Sequence, residues 1–413
     1  MLKKIESRQL QLGMFIQSFE GSWLSHPFWK TKFLLRDPAD LEAIRKSGVA
    51  TCWIDVAKGL DVGAKPAAAA PVAAAQASEP APETPVATAT TSKPKPPAAA
   101  EPKASMGSEL QRAAGVINRS RQQVVALFGE ARLGRSVNSE QCMTLVEGIA
   151  DSVSRNPSAL ISLARLKTKD DYTYMHSVAV CALMVSLARH LNLGEEQVRE
   201  AGFAGLLHDI GKMAMPAEVL NKPGALTDAE YKVMQLHPER GHQMLMSGSQ
   251  VLPGALDVCL HHHEKMDGTG YPHKLPGDQI SLLARMGAVC DVYDAITSTR
   301  PYKSAWDPAG SIQRMAQWKG HFDPAVFQAF VKSVGIYPVG SLVRLQSGRL
   351  AVVAEQHPTS LVTPRLKVFF STKSQMPIPL ETLDLAQPGC NDRILGRESP
   401  SQWGFQNLDE LWQ

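Results

Sequence analysis

The chain has 413 residues, 44% hydrophobic and 20% charged, and a formal net charge of +3 from 43 Lys and Arg against 40 Asp and Glu. That length predicts roughly two to three domains, and the composition excludes wholesale disorder, a collagen-like chain and a membrane bundle. Near-balanced charge excludes a nucleic-acid footprint over the whole surface, so no nucleic-acid polymer is expected as partner, while a small anionic ligand stays open.

The N-terminal Met1-Leu2-Lys3-Lys4-Ile5-Glu6 puts charge where a signal peptide needs apolar residues. No run of about 18 apolar residues follows, so no membrane span is expected. Short apolar runs around Leu12-Gly13-Met14-Phe15-Ile16, Phe33-Leu34-Leu35 and Trp53-Ile54 read as strands, with one short helix from Asp37 to Lys46. Residues 1–61 are expected to form a small α/β or β domain. The aromatics Trp23, Phe28, Trp29 and Phe33 fit either its core or a partner-binding face. Residues 62–105 are rich in Ala and Pro and lack apolar bulk, which predicts an extended linker.

From Ser108 the period becomes helical. Leu110, Ala113, Val116 and Ile117 share one face of a first helix that runs on through Phe128, and a second starts after Asn138-Ser139-Glu140. Helices continue to about Val334, so residues 106–336, with their motifs at 170–306, are expected to be an all-helical domain. Beyond Tyr337 the period switches to two. Leu342–Leu345, Leu350–Ala354 and Leu366–Phe370 predict three strands in a β appendage spanning 337–413. The fold class is therefore mainly α, with small flanking domains. Six cysteines without a CxxC pair indicate neither a disulfide framework nor a cysteine zinc site, and suit a reducing, cytoplasmic setting.

Nine of the twelve histidines lie between His176 and His273. Helix propensity does not explain this, since His is a mediocre helix former. Imidazole with carboxylate is a ligand set for Fe, Mn, Ni or Zn. His208-Asp209 follows the apolar Phe203-Ala204-Gly205-Leu206-Leu207 and precedes Ile210-Gly211-Lys212, where the glycine would let the chain turn away at the helix end. Asp291 sits on a helix predicted from Leu282 to Ser298, among Val289 and Val292. Burial there would demand a charge or hydrogen bonds to offset desolvation. Taken alone, a buried histidine of this kind is more often a satisfied core residue than a ligand.

Six blocks occur in order over about 140 residues: Asp171-Tyr172-Thr173-Tyr174-Met175-His176-Ser177; His208-Asp209-Ile210-Gly211-Lys212; Lys222-Pro223-Gly224; His237-Pro238 with Gly241; His262-His263-Glu264 with Asp267-Gly268-Thr269-Gly270-Tyr271-Pro272; and Asp291-Val292-Tyr293-Asp294-Ala295 leading to Arg300-Pro301-Tyr302-Lys303. Together they resemble the HD-GYP subgroup of the HD-domain metal-dependent phosphohydrolases, which degrade the bacterial second messenger cyclic di-GMP. The N-terminal segment resembles a small domain of unassigned function often placed before it.

The resemblance implies that His176, His208, Asp209 and Asp291 hold one divalent ion. Asp209 would bridge to a second, held by His237, His262 and His263. Such cations, roughly 3.5 to 4 Å apart, can share one hydroxide that attacks phosphorus. Fe or Mn is expected, with Ni or Zn as alternatives, and linear pGpG, GMP or both as products. Some members carry a glutamate where this chain has Tyr172, so two ions rather than three are expected. His261, about 100° around a helix from His262, would face elsewhere. The resemblance makes Asp209 and Lys212 catalytic, with Lys212 on a nonbridging phosphate oxygen, and gives Arg300 and Lys303 the second phosphate. Tyr271 either stacks on guanine or packs its own loop. That Gly-Tyr-Pro loop implies GGDEF-domain diguanylate cyclases as partners, and homodimerisation stays open. The competing functions are a cyclic di-GMP sensor or scaffold with little turnover, against which the full ligand set argues, and an HD hydrolase of another nucleotide, against which the Gly-Tyr-Pro block argues.

Overall fold

The computed structural model describes residues 2–19, 33–35, 38–46, 51–62, 106–165, 172–248, 250–298, 305–357 and 359–412. The Ala- and Pro-rich stretch from 63 to 105, the aromatics Trp23, Phe28 and Trp29, and the pair Arg300 and Lys303 lie outside the described residues. The chain divides into two compact units, Met1–Pro102 and Lys103–Gln413.

In the first unit, β1 (Leu2–Glu6), β2 (Phe15–Phe19), β3 (Phe33–Leu34) and β4 (Thr51–Asp55) form an antiparallel sheet in the order β1-β4-β2-β3, with α1 (Pro38–Lys46) between β3 and β4 in the chain. Strand alternation turns Cys52 and Ile54 inward, where Leu10, Met14, Ile16, Leu35 and Ile44 complete a small core.

The second unit begins with α2 (Met106–Arg132), α3 (Ser139–Arg155) and α4 (Pro157–Arg165). Asn138 caps α3 by accepting from the Gln141 amide at 3.0 Å. Glu109 of α2, fully buried, accepts from Ser152 Oγ and Arg155 Nε of α3, each at 2.9 Å, which satisfies a charge that burial would otherwise make costly. Next come α5 (Tyr172–His190) and α6 (Glu195–Leu207). Helix α5 is buried almost all round from Met175 to Ala188, as expected of a central helix. The bundle continues with α7 (Ala217–Leu220), α8 (Asp228–Met234), α9 (His237–Met246), α10 (Pro253–His261), α11 (Leu282–Thr297), α12 (Pro308–Met315) and α13 (Pro324–Val334). Among the described residues no helix is long and apolar enough to cross a membrane.

The C-terminal part is a five-stranded antiparallel sheet of β5 (Leu342–Leu345), β6 (Arg349–Glu355), β7 (Arg365–Ser371), β8 (Met376–Asp384) and β9 (Ile394–Arg397), in the order β8-β7-β6-β5-β9. Its core holds Val343, Leu345, Ala351, Val353, Leu366 and Val368. Pattern reading predicts only the three inner strands. The two it misses are edge strands: β8 is largely exposed and carries Pro377 and Pro379, and β9 contains Gly396, so neither shows an apolar alternation. Arg165 at the end of α4 donates to the Val339 carbonyl at 3.1 Å, and Arg397 of β9 donates to Gln313 of α12 at 2.8 Å, so the sheet is fastened to the bundle by polar contacts.

Candidate metal centre

Five segments converge on one buried point. Helix α5 supplies His176; the end of α6 supplies His208 and Asp209; the first residue of α9 is His237; α10 ends into His262 and His263; α11 supplies Asp291. All are buried except His263, whose side chain is 23% exposed and forms the open side.

Two groups result, and within each the candidate ligand atoms lie within 4.8 Å of one another: His176, His208, Asp209 and Asp291 in one, His237, His262 and His263 in the other. Asp209 stands between them. Its Oδ2 is 3.3 Å from Nε2 of both His176 and His208, while its Oδ1 is 3.3 Å from His237 Nε2 and 3.8 Å from His262 Nε2. One carboxylate thus turns one oxygen to each group. Asp291 Oδ1 lies 2.9 Å from His176 Nε2, and its Oδ2 lies 3.9 Å from His263 Nδ1.

The tautomers are set from behind. His208 Nδ1 donates to the Gly205 carbonyl at 2.8 Å, His237 Nδ1 to Met234 at 2.8 Å, and His262 Nδ1 to Val258 at 2.9 Å. Each Nδ1–H is therefore used, and each Nε2 faces inward, where the neutral imidazole would offer its lone pair to an ion. His237 Nε2 and His262 Nε2 approach to 3.3 Å. Two lone pairs at that distance repel unless a cation lies between them. His208 Nε2 and Asp209 Oδ1 are buried without a hydrogen-bond partner, a costly state that a divalent ion would relieve. The donor set therefore fits metal.

The electrostatics are polarised. Burial disfavours charge throughout, but Asp209 and Asp291 outweigh it at His208 and raise that imidazole to about 10. In the other group burial, reinforced by neighbouring imidazoles, pushes His262 down to about 3 and His263 well below its ordinary value. Burial would raise Asp209, yet Lys212 and His208 hold it well below the usual carboxylate range. Lys212 donates to Asp209 Oδ2 at 2.5 Å, so this lysine rests on the carboxylate itself.

Gly211 does not act as a left-handed turn residue. It sits in the 3-10 helix Ile210–Ala214, and a Cβ there would fall 1.9 Å from the His237 carbonyl oxygen and 2.4 Å from the Gly241 nitrogen. The glycine lets two backbones touch, and that contact sets His208-Asp209 against His237.

Two buried acids at the centre, Asp294 and Glu264, stand in the motif blocks, but sequence reasoning gives neither a role. Asp294 Oδ2 lies 2.6 Å from His176 Nδ1. Its signal is the three-residue step from Asp291, which puts both on one face of α11. Glu264, 2% exposed, accepts from the amides of His273, Lys274 and Leu275 at 2.7, 3.0 and 3.1 Å, tying down the chain after Tyr271-Pro272. Tyr271 stacks on His263, with centroids 4.7 Å apart and planes 25° apart, and burial raises its phenol. Asp267 at the start of that loop donates its amide to the Gly320 carbonyl at 2.9 Å. His261 points away to Asp257 and His273, outside both groups. Tyr172 is the first residue of α5, and its side chain lies outside the described set, as do Arg300 and Lys303.

Residues 148–326 match the HD domain, and residues 2–142 match a domain of unknown function, DUF3391. The chain is 55% identical over 414 residues to the cyclic di-GMP phosphodiesterase PA4108 of Pseudomonas aeruginosa, covering 100% of this chain and 96% of that protein. It is 39% identical over 203 residues to the cyclic di-GMP phosphodiesterase response regulator RpfG of Xanthomonas campestris pv. campestris, which is 48% of this chain and 53% of that one. It is also 35% identical over 180 residues to the 3'3'-cGAMP-specific phosphodiesterase 1 of Vibrio cholerae, 42% of this chain and 41% of that one. With the helical HD fold, the ordered motif blocks and 55% identity to PA4108 over nearly the full length of both, the chain belongs to the HD-GYP subgroup of the HD-domain metal-dependent phosphohydrolases.

Proposed function

We infer that the chain is a metal-dependent phosphodiesterase that hydrolyses cyclic di-GMP. The observation that carries this reading is Asp209, whose two oxygens face two separate sets of imidazole nitrogens. On it, His176, His208, Asp209 and Asp291 would hold one divalent ion and His237, His262 and His263 a second, Fe or Mn with Ni or Zn as alternatives, since imidazole and carboxylate serve several first-row ions. Such a pair supplies Lewis-acid polarisation of a phosphate and a nucleophilic water at neutral pH.

The chain's own residues do the rest. The backbone carbonyls behind His208, His237 and His262 hold each Nδ1 and aim each Nε2 inward, so the ring orientations are set before substrate arrives. Lys212, 22% exposed and hinged on the short 3-10 helix, can exchange Asp209 Oδ2 for a nonbridging phosphate oxygen. Tyr271, stacked on His263, closes one wall and presents an aromatic face to a guanine, while Arg300 and Lys303 follow α11 as cations for the second phosphate. The product is linear pGpG, GMP or both. Six cysteines free of disulfides suit a reducing cytoplasm, and the Gly-Tyr-Pro loop is the surface for a GGDEF-domain partner.

Purified protein loaded with Mn or Fe and incubated with cyclic di-GMP, its products resolved by chromatography, tests the reading. Linear product that is lost in His208→Ala and Asp209→Ala is expected. Retention of intact ligand, or turnover of 3'3'-cGAMP but not of cyclic di-GMP, would overturn it.

A further inference from the structure

A separate pair of imidazoles, His261 and His273, lies outside both ligand groups. His261 ends α10; exposed His273 follows Tyr271 by two residues. His261 Nδ1 is 2.7 Å from Asp257 Oδ1, one turn earlier on the same helix, and the other Asp257 oxygen accepts from the hydroxyl of Ser281, which caps α11. With its Nδ1–H given to that carboxylate, His261 keeps a lone pair on Nε2, in the orientation that metal-binding histidines take from a carboxylate behind them. His261 Nε2 faces His273 Nδ1 at 3.1 Å, the rings tilted by 60°. Two nitrogens each about 2.0–2.1 Å from one ion and cis or tetrahedral to one another stand about 3.0–3.4 Å apart. The His273 backbone is independently fixed, its amide donating to buried Glu264 at 2.7 Å.

We propose that His261 and His273 form a surface chelate for a late first-row divalent ion, Zn²⁺ or Cu²⁺, separate from the His/Asp centre, with water completing the coordination. Imidazole is the ligand these ions favour. In the ion-free protein the same pair is joined by one hydrogen bond, His273 Nδ1–H donating to His261 Nε2. Metal binding needs His273 to move its proton to Nε2 and the two rings to turn so that both lone pairs meet at the ion. The ion would tie the end of α10, which runs directly into His262 and His263, to the segment carrying Tyr271, and so brace the loop at the mouth of the site.

Equilibrium dialysis of full-length protein against Zn²⁺, with zinc and protein counted together, tests the proposal independently of turnover. Wild type should hold one zinc per chain more than His273→Ala and one more than His261→Ala, while both variants keep their Mn-supported activity in zinc-free buffer. Equal zinc content in wild type and His273→Ala overturns it. His273 is exposed and its substitution leaves the Glu264 hydrogen bonds to the backbone intact, so that variant decides the matter even where His261→Ala fails to fold.

Discussion

Replacing Gly211 by alanine probes whether the centre is assembled by a contact between two backbones. The new Cβ would lie 1.9 Å from the His237 carbonyl oxygen, 2.4 Å from the Gly241 nitrogen and 2.8 Å from the Gly241 Cα. All three are backbone atoms, so no side-chain rotation relieves the overlap. Restoring even a 3.0 Å separation from the oxygen moves the 3-10 helix and the start of α9 apart by 1.1 Å, the difference between the two distances. Overpacking of this kind costs about 1–3 kcal/mol where neighbours can yield, and the upper end applies to a backbone clash. The displacement separates Asp209 from His237, which now stand 3.3 Å apart. A misplacement of about 1 Å at a reacting centre costs about 100-fold in rate. Gly211→Ala should therefore lose about two orders of magnitude in kcat/KM on cyclic di-GMP and retain less metal after dialysis. Its urea midpoint should fall with an unchanged m-value. Gly129→Ala is the control: this position is on an exposed face of α2 with nothing within 4 Å, and alanine there should stabilise by up to about 1 kcal/mol without touching activity. Wild-type activity in Gly211→Ala, or an equal loss in Gly129→Ala, would refute the reasoning.

Asp294→Asn leaves a hydrogen-bonding group beside His176 but removes the charge that orients its ring, and should weaken metal binding about 10- to 100-fold in titrations of the metal-stripped protein. Glu264→Gln keeps one oxygen for His273 and Lys274 but sets an amide N–H against the Leu275 N–H. It should cost about 1.5–3 kcal/mol in urea unfolding and speed amide exchange at 273–275. Glu230, paired with Lys222 and bonded to the Thr227 amide and hydroxyl, is lowered from 4.5 to about 2. As a depressed acid its contribution to the start of α8 is complete above pH 4.5 and lost as pH falls through about 2, so NMR titration should place it near 2 and Lys222→Ala should return it toward 4.5.

Much of the fold class is legible because the hydrophobic period changes twice along the chain. Long apolar helices such as α5 and α11 declare themselves, and Asn138 marks the start of α3 through capping chemistry contained within the four residues Asn138 to Gln141. The strands β8 and β9 do not, because an edge strand is held by its neighbour's backbone and places no demand on its own side chains. The structure draws together all seven candidate ligands singled out by residue type and order, and it leaves His261 aside. Lys212 is harder to read. Its position four residues after His208 says that it is near, but only the folded chain shows it resting on Asp209 Oδ2. Glu264 is likewise opaque, since its partners are amides nine to eleven residues onward in a loop whose path no periodicity predicts.

The role of Asp294 is hidden for a more general reason. The carbonyls that orient His208, His237 and His262 belong to the last turns of α6, α8 and α10, three or four residues back along the same chain. Carbonyls in a last turn run short of amide donors, and even Val258 O, which also takes the His262 amide at 2.9 Å, has a second lone pair to offer, so a histidine at or just past a helix end finds its acceptor locally. His176 has no such recourse. It lies in the body of α5, where the carbonyls are committed to the helix, and its Nδ1 must take an acceptor from another element. A carboxylate on α11, 118 residues away in sequence and 2.6 Å away in space, meets that need. The same helix also delivers Asp291 to the other nitrogen of the ring, so α11 meets His176 at both Nδ1 and Nε2. In this centre the mid-helix His176 takes a buried acid from across the core, whereas His208, His237 and His262 at helix ends take carbonyls from their own stretch of chain.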